Sequence, residues 1–162
     1  MMLERLCKVS LSAVAVFALA ATSSSDSKRP GGQFTSRDFA ELMQTVAARW
    51  NEGNARKAAD CFTEDAIYSS PPSPQMHKGN PALYQFFGGP KGRGAPIFMG
   101  WHHLVFDEQT QIGFGEYTFR YGKYQAHGVV VIRIRESKIQ NWRAYEVSSR
   151  LDWDHFVGEN SF

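Results

Sequence analysis

The sequence predicts an α+β domain. Helical periodicity and capping residues occupy the stretch between residues 36 and 87. Period-two alternation begins near Phe98 and continues to residue 148 in four runs. Helices come first and a long meander follows, which places the helices on one face of an antiparallel sheet. With 162 residues the chain reads as one domain. A hydrophobic content of 43% supports a core, and the aromatic content of 14% is high enough to line an apolar pocket as well.

Thr35-Ser36-Arg37-Asp38 reads as a capping box with Asp in place of Glu. Phe39, Leu42, Met43, Val46, Ala47 and Trp50 then recur at helical spacing until Asn51-Glu52-Gly53 ends the run. Asn54 caps a second, short helix whose apolar side is Ala55, Ala58, Ala59 and Phe62. A strand is expected around residues 66–69, and the prolines of SSPPSP stop it. Asn80 as N-cap and Pro81 as first helical residue open a third helix with Leu83, Phe86 and Phe87 on its core side. Gly88-Gly89 close it, and PKGRGAP reads as a flexible basic loop without a phosphate-loop pattern. Strands are expected at 98–107, 112–121, 124–135 and 138–148, joined by two-residue turns at Gln109-Thr110, Gly122-Lys123 and Glu136-Ser137. A tail carrying Leu151, Trp153, Phe156 and Val157 is apolar enough to dock on the body.

Arg5 and Lys8 precede the apolar run VSLSAVAVFALAA, and Ala18 and Ala20 offer a small-residue cleavage site. Residues 1–20 are therefore expected to be a signal peptide, residues 21–33 a disordered Ser-rich linker, and residues 34–162 the folded domain. A secreted or periplasmic location follows, with organelle targeting as the alternative and no membrane span after the signal is removed. Beyond residue 20, 16 basic and 15 acidic side chains remain, a net charge of +1. That balance does not match the basic stripe of a nucleic-acid binder. Cys61 has no partner for an intramolecular disulfide once Cys7 leaves with the signal, and it reads as a buried small hydrophobe.

The turns place side chains on faces, because cross-strand partners point the same way. Uninterrupted ladders would pair His103 with Glu116, Trp101 with Thr118, Thr118 with His127, His127 with Glu146 and Val131 with Trp142. One face would then carry Trp101, His103, Glu116, Thr118, His127, Trp142, Ala144 and Glu146. The other, more apolar, would carry His102, Tyr117, Phe119, Ile132, Arg143, Tyr145 and Val147, and could lie beneath the helices. A single bulge would reverse every side chain beyond it.

A glutamate beside an imidazole among tryptophans can exchange protons with a substrate. Glu116 is thus a candidate base, with His127 or His103 to orient or shuttle the proton. Tyr68, Trp101, Tyr117, Trp142, Arg143 and Tyr145 are candidate ligand contacts. The same residues equally describe a satisfied hydrogen-bonded ladder in the sheet or at a dimer interface. No H-x-H or H-E-x-x-H spacing points to a metal, no cofactor motif is present, and nothing marks a nucleophile of the G-x-S-x-G type.

WNEGNARKAADCFTEDAIY, GNPALYQFF and GVVVIRIRESKIQNWRAYE resemble the SnoaL-like branch of the nuclear transport factor 2-like superfamily, over about residues 36–150. The resemblance implies a cone of three helices over a strongly curved, mostly antiparallel sheet, with a pocket between them. It implies small-molecule ligands, enzymes such as isomerases, cyclases, dehydratases and epoxide hydrolases, and also non-catalytic dimerising domains. The catalytic residues of those relatives do not transfer. The isomerase base falls on Ser70, before Pro71, and the isomerase tyrosine on Val46. The epoxide hydrolase residues fall nearest Tyr117, Phe119 and Val147. Two functions are therefore expected from the sequence: a pocket for a small apolar or cyclic molecule with proton-transfer chemistry, or a non-enzymatic homodimer in which the Glu/His cluster is structural.

Overall fold

The computed structural model describes residues 33–160. The expected signal peptide, and all of the expected linker except Gln33, lie outside the described residues.

Helix α1 (Ser36–Asn51) begins at Thr35, whose side chain accepts from the Asp38 amide while Asp38 accepts from the Thr35 amide. Phe39, Met43, Val46, Ala47 and Trp50 form its buried stripe. Each large side chain on it contributes on the order of 1.5–3 kcal/mol when fully buried. The far end of α1 is clamped to the sheet, because Asn51 donates to the Met99 carbonyl (3.0 Å) and accepts from the Met99 amide (2.7 Å). Helix α2 (Ala55–Ala59) is capped by Asn54. Helix α3 (Asn80–Phe86) starts one residue earlier than expected, with Gly79 rather than Asn80 as N-cap. Asn80 is buried instead and donates to the Ala59 carbonyl at 2.7 Å, tying α3 to α2.

Six strands form one sheet in the order β2-β1-β6-β5-β4-β3. They are β1 (Phe62–Ser69), β2 (Met76–Lys78), β3 (Ile97–Asp107), β4 (Ile112–Tyr121), β5 (Tyr124–Arg135) and β6 (Lys138–Ser148). Only β1 and β6 run parallel. Strand β1 is longer than expected, and β2, a short edge strand after the prolines, carried no signal. The fold is the expected α+β arrangement, a mostly antiparallel sheet with α1, α2 and α3 on one face. A further helix, α4 (Trp153–Val157), was foreseen only as a docking tail.

The β4–β5 and β5–β6 connections are the expected two-residue turns, and the β3–β4 connection is a four-residue loop centred on the expected Gln109-Thr110. Tyr121 faces Tyr124, Arg135 faces Lys138, and Asp107 faces Ile112. Two bulges then overturn part of the expected face assignment. In β3 the ladder steps from Trp101–Tyr117 to His103–Glu116, leaving His102 unpaired. In β6 it steps from Ile134–Ile139 to Arg133–Asn141, leaving Gln140 unpaired. Each extra residue reverses the strand beyond it. Trp101, Trp142, Ala144 and Glu146 therefore turn toward the helices, while Arg143, Tyr145 and Val147 turn away. His127 faces Val147 instead of Glu146, and Val131 faces Arg143 instead of Trp142. His103–Glu116, Glu116–Val129 and Thr118–His127 remain as expected, because both bulges lie outside that block.

The core fills the space between the helices and this inner face. Trp142 is 1% exposed and packs on Trp50, Phe62, Tyr68 and Trp101. Gly113 and Gly115 leave room for these rings, since a Cβ at Gly113 would stand 2.5 Å from Phe39 and one at Gly115 2.7 Å from Trp101. Among the described residues, no helix is long and apolar enough to cross a membrane.

Candidate functional site

One row of the inner face crosses four strands as Trp101, Tyr117, Gly128 and Glu146. Gly128 has no side chain, so Tyr117 and Glu146 lean together across it. The Tyr117 hydroxyl donates to Glu146 Oε1 at 2.6 Å. The Tyr124 hydroxyl approaches the other oxygen at 3.5 Å. A Cβ on Gly128 would lie 2.4 Å from the Tyr145 carbonyl and 3.2 Å from the Glu146 side chain, so the space is needed.

Glu146 forms one wall of a cavity of about 440 Å³ at the open end of the layer between helices and sheet. Trp50, Phe86, Phe87 and Phe119 make its apolar walls, and Ser70, Arg93 and Tyr124 add polar groups. Burial, then the Glu146 charge, pushes the Tyr117 phenol far above its ordinary value. Burial, followed by Glu146, does the same for Tyr68, which stacks on Trp142 behind the cavity. Both phenols therefore stay protonated, and Tyr117 acts as a donor. Among the described residues the buried Trp50 indole N–H has no hydrogen-bond partner, whereas Trp101 donates to the Met43 carbonyl at 2.8 Å. A buried unmet donor costs on the order of 1–3 kcal/mol, and a ligand oxygen would relieve it. The volume and lining suit a small cyclic molecule.

The expected acid–imidazole cluster lies on the opposite, outer face. His103 and Glu116 face each other there and border a groove of about 310 Å³ beneath α4. His127 is fully buried, with Nδ1 2.9 Å from the Thr118 hydroxyl and Nε2 2.9 Å from the Leu151 carbonyl. His102 Nε2 lies 2.7 Å from the same hydroxyl, and its ring stacks on Trp153 at 3.9 Å. A carbonyl only accepts, so with one proton on the His127 ring that proton sits on Nε2. Thr118 then donates to Nδ1 and accepts from His102. With Phe156 packed on His127 at 4.5 Å, this chain of groups anchors the C-terminal segment to the sheet.

The structure thus separates the sequence candidates. Tyr68, Trp101, Tyr117 and Trp142 share the inner face, Tyr117 in direct contact with Glu146. Arg143 and Tyr145, expected beneath the helices, are exposed on the outer face, because the Gln140 bulge reverses β6. Sequence reasoning placed Glu146 against His127 and missed Trp50, Arg93 and Tyr124 as cavity residues. A signal for the Tyr117–Glu146 contact was present in Gly128, since an isolated glycine inside a strand marks a close approach. Among the described residues no group of three or more His, Cys, Asp or Glu side chains is placed to hold a metal ion.

Residues 34–142 match a family model described as the SnoaL-like domain. The chain belongs to the SnoaL-like family. Solved structures agree on the fold. An NTF-2 like protein from Burkholderia xenovorans superposes with a TM-score of 0.61 at 16% identity, covering 81% of this chain and all (100%) of that one. An LEH-like epoxide hydrolase from M. tuberculosis gives 0.58 at 13% identity, covering 68% and 84% of the two chains. A protein with a ketosteroid isomerase-like fold from Catenulispora acidiphila, in complex with trimethylamine, gives 0.56 at 13% identity, covering 65% and 84%. No curated protein matches the chain.

In this SnoaL-like chain the positions aligned by resemblance with other enzymes' catalytic groups are spread out. Ser70 lines the cavity, Val46 is buried in α1, and Tyr117 and Phe119 face inward. Val147 points outward and is 52% exposed. The carboxylate that β6 sends into the cavity is its neighbour, Glu146.

Proposed function

We propose that this SnoaL-like domain binds a small cyclic, largely apolar molecule in the cavity and that Glu146 exchanges a proton with it. The observation that carries this reading is the Glu146 carboxylate, held at 2.6 Å by a buried tyrosine at a cavity that Trp50, Phe86, Phe87 and Phe119 also line. A carboxylate oriented in this way can accept a proton from an activated C–H or O–H, while the Trp50 N–H receives the charge that develops on a ligand oxygen. That an epoxide hydrolase shares the fold supports acid–base chemistry on small molecules as a use of this architecture. Under this reading Glu116, His103 and His127 hold the C-terminal segment in place.

The test is solvent deuterium exchange at the α-carbon of small cyclic ketones, followed by NMR. The intact protein should accelerate exchange, and Glu146→Gln should lower the rate by about 10²-fold or more at unchanged melting temperature. Equal rates in the two proteins would remove Glu146 from the chemistry.

A second reading rests on the outer face, where Val105, Phe114, Val129, Tyr145 and Val147 are all exposed. Such a patch fits self-association as a homodimer. Sedimentation should then show a dimer that Val129→Glu dissociates, and a wild-type monomer at micromolar concentration would end this reading. An exported location remains part of the proposal, to be checked by N-terminal sequencing of the mature protein.

A further inference from the structure

Arg93 supplies the cavity with a second charge. It lies in the stretch that the sequence presents as a flexible basic loop, but the loop is tightly folded. Gly88, Gly89 and Gly92 adopt φ of 123°, 56° and 68°, and residues 89–91 make a 3-10 turn. A Cβ at Gly88 would stand 2.9 Å from the Gly92 carbonyl carbon, so the loop closes on itself and delivers Arg93 to the cavity wall. There the guanidinium donates to the Phe86 carbonyl and lies 4.9 Å over the Phe86 ring and 5.6 Å from the Tyr121 ring.

Arg93 is half-buried, yet among the described residues no carboxylate pairs with it. Glu146 lines the same cavity without reaching it. A partly desolvated cation without an anion is costly, and a planar guanidinium is shaped to grip a carboxylate through two parallel hydrogen bonds. Its field is felt locally: burial, then the Arg93 charge, holds His77 below its ordinary value, where His77 stacks on the other ring partner, Phe86, at 4.1 Å.

We infer that the cavity selects small cyclic carboxylic acids, with the carboxylate on Arg93, the ring among Trp50, Phe86 and Phe87, and a hydroxyl or acidic C–H facing Glu146. This rests on the ligand-binding reading of the cavity and adds the charge of the ligand to it.

The probes are 4-hydroxybenzoate and 6-hydroxy-2-naphthoate, each titrated against its neutral primary amide by calorimetry with the full chain. Each acid should bind at least about tenfold more tightly than its amide, the scale of one charge-assisted pair. Arg93→Gln should erase that difference by weakening the acids at least about tenfold more than the amides, and Arg93→Lys should keep part of it. Raising the ionic strength of the wild-type sample should weaken the acids and spare the amides, a readout that needs no variant. Equal binding of acid and amide, or a preference that survives Arg93→Gln, would overturn the inference and leave the cavity reading intact. No saturable binding of either form would overturn both.

Discussion

Gly128 shows how one residue sets the geometry of the cavity wall. Tyr117 and Glu146 flank it on neighbouring strands, and their hydrogen bond passes over the place where a side chain would stand. Gly128→Ala forces a methyl against the Tyr145 carbonyl, 2.4 Å from the ideal Cβ position, where backbone rather than a flexible side chain must move. Thermal denaturation should show a loss of about 1–3 kcal/mol, the usual cost of overpacking. Binding of cavity ligands should weaken in the same variant, because Glu146 is displaced. Unchanged stability and binding would mean that the Tyr117–Glu146 bridge does not depend on the gap.

At the level of elements, the bulges decide which face of each strand is functional. Gln140 is the extra residue of β6, and it turns Trp142 into the core and Glu146 into the cavity. Deleting Gln140 restores the even alternation of the ladder. The pairing beyond it survives the deletion, because Asn141 already faces Arg133 and Trp142 already faces Ile132, so Trp142 keeps its contacts with four other aromatic residues. Loss of a buried tryptophan alone costs about 3–5 kcal/mol, which is a large share of the stability of a domain this size. The deletion variant avoids that loss and should keep a cooperative unfolding transition in thermal denaturation, whereas Trp142→Ala should show the loss in full. Loss of cooperativity in the deletion variant would show that the extra residue itself is needed, and not only the register beyond it. Helix α1 is the opposite case: its capping box, its apolar stripe and its end were all legible, because they rest on contacts within a few residues.

For the molecule as a whole, acid should act in two stages. His77 and His102 both lie below their ordinary value of 6.5, in each case chiefly through burial, with Arg93 adding for His77 and His127 for His102. Their neutral forms are the ones that favour the folded state, so their contribution is intact above pH 6.5 and is lost as the pH falls through their lower folded values. Asp107, Glu108 and Asp152 lie below their ordinary values of 3.8, 4.5 and 3.8, each chiefly through hydrogen bonds from backbone amides. Their contribution is present above those values and disappears on further acidification. Melting temperature measured against pH should fall first below about 6.5 and again below about 4.5. His102→Gln should flatten the first step, since it removes the imidazole stacked on Trp153. A first step of unchanged size in that variant would assign it to other groups.

The α+β class, the three helices followed by the four-strand meander, the β4–β5 and β5–β6 turns and the pairing of His103 with Glu116 and of Thr118 with His127 were determined by the sequence alone. These depend on local periodicity, on capping and turn residues, and on counting outward from a turn through an uninterrupted ladder. The place of Glu146 opposite Tyr117, the outward turn of Arg143 and Tyr145, and the arrival of Arg93 in the cavity were decided only by tertiary structure. An extra residue in a strand has no marker in a period-two pattern, and whether the chain accepts a bulge depends on what the reversed side chains then meet. At Trp142 they meet Trp50, Phe62, Tyr68 and Trp101, and burial of those rings selects the bulged register over the regular one.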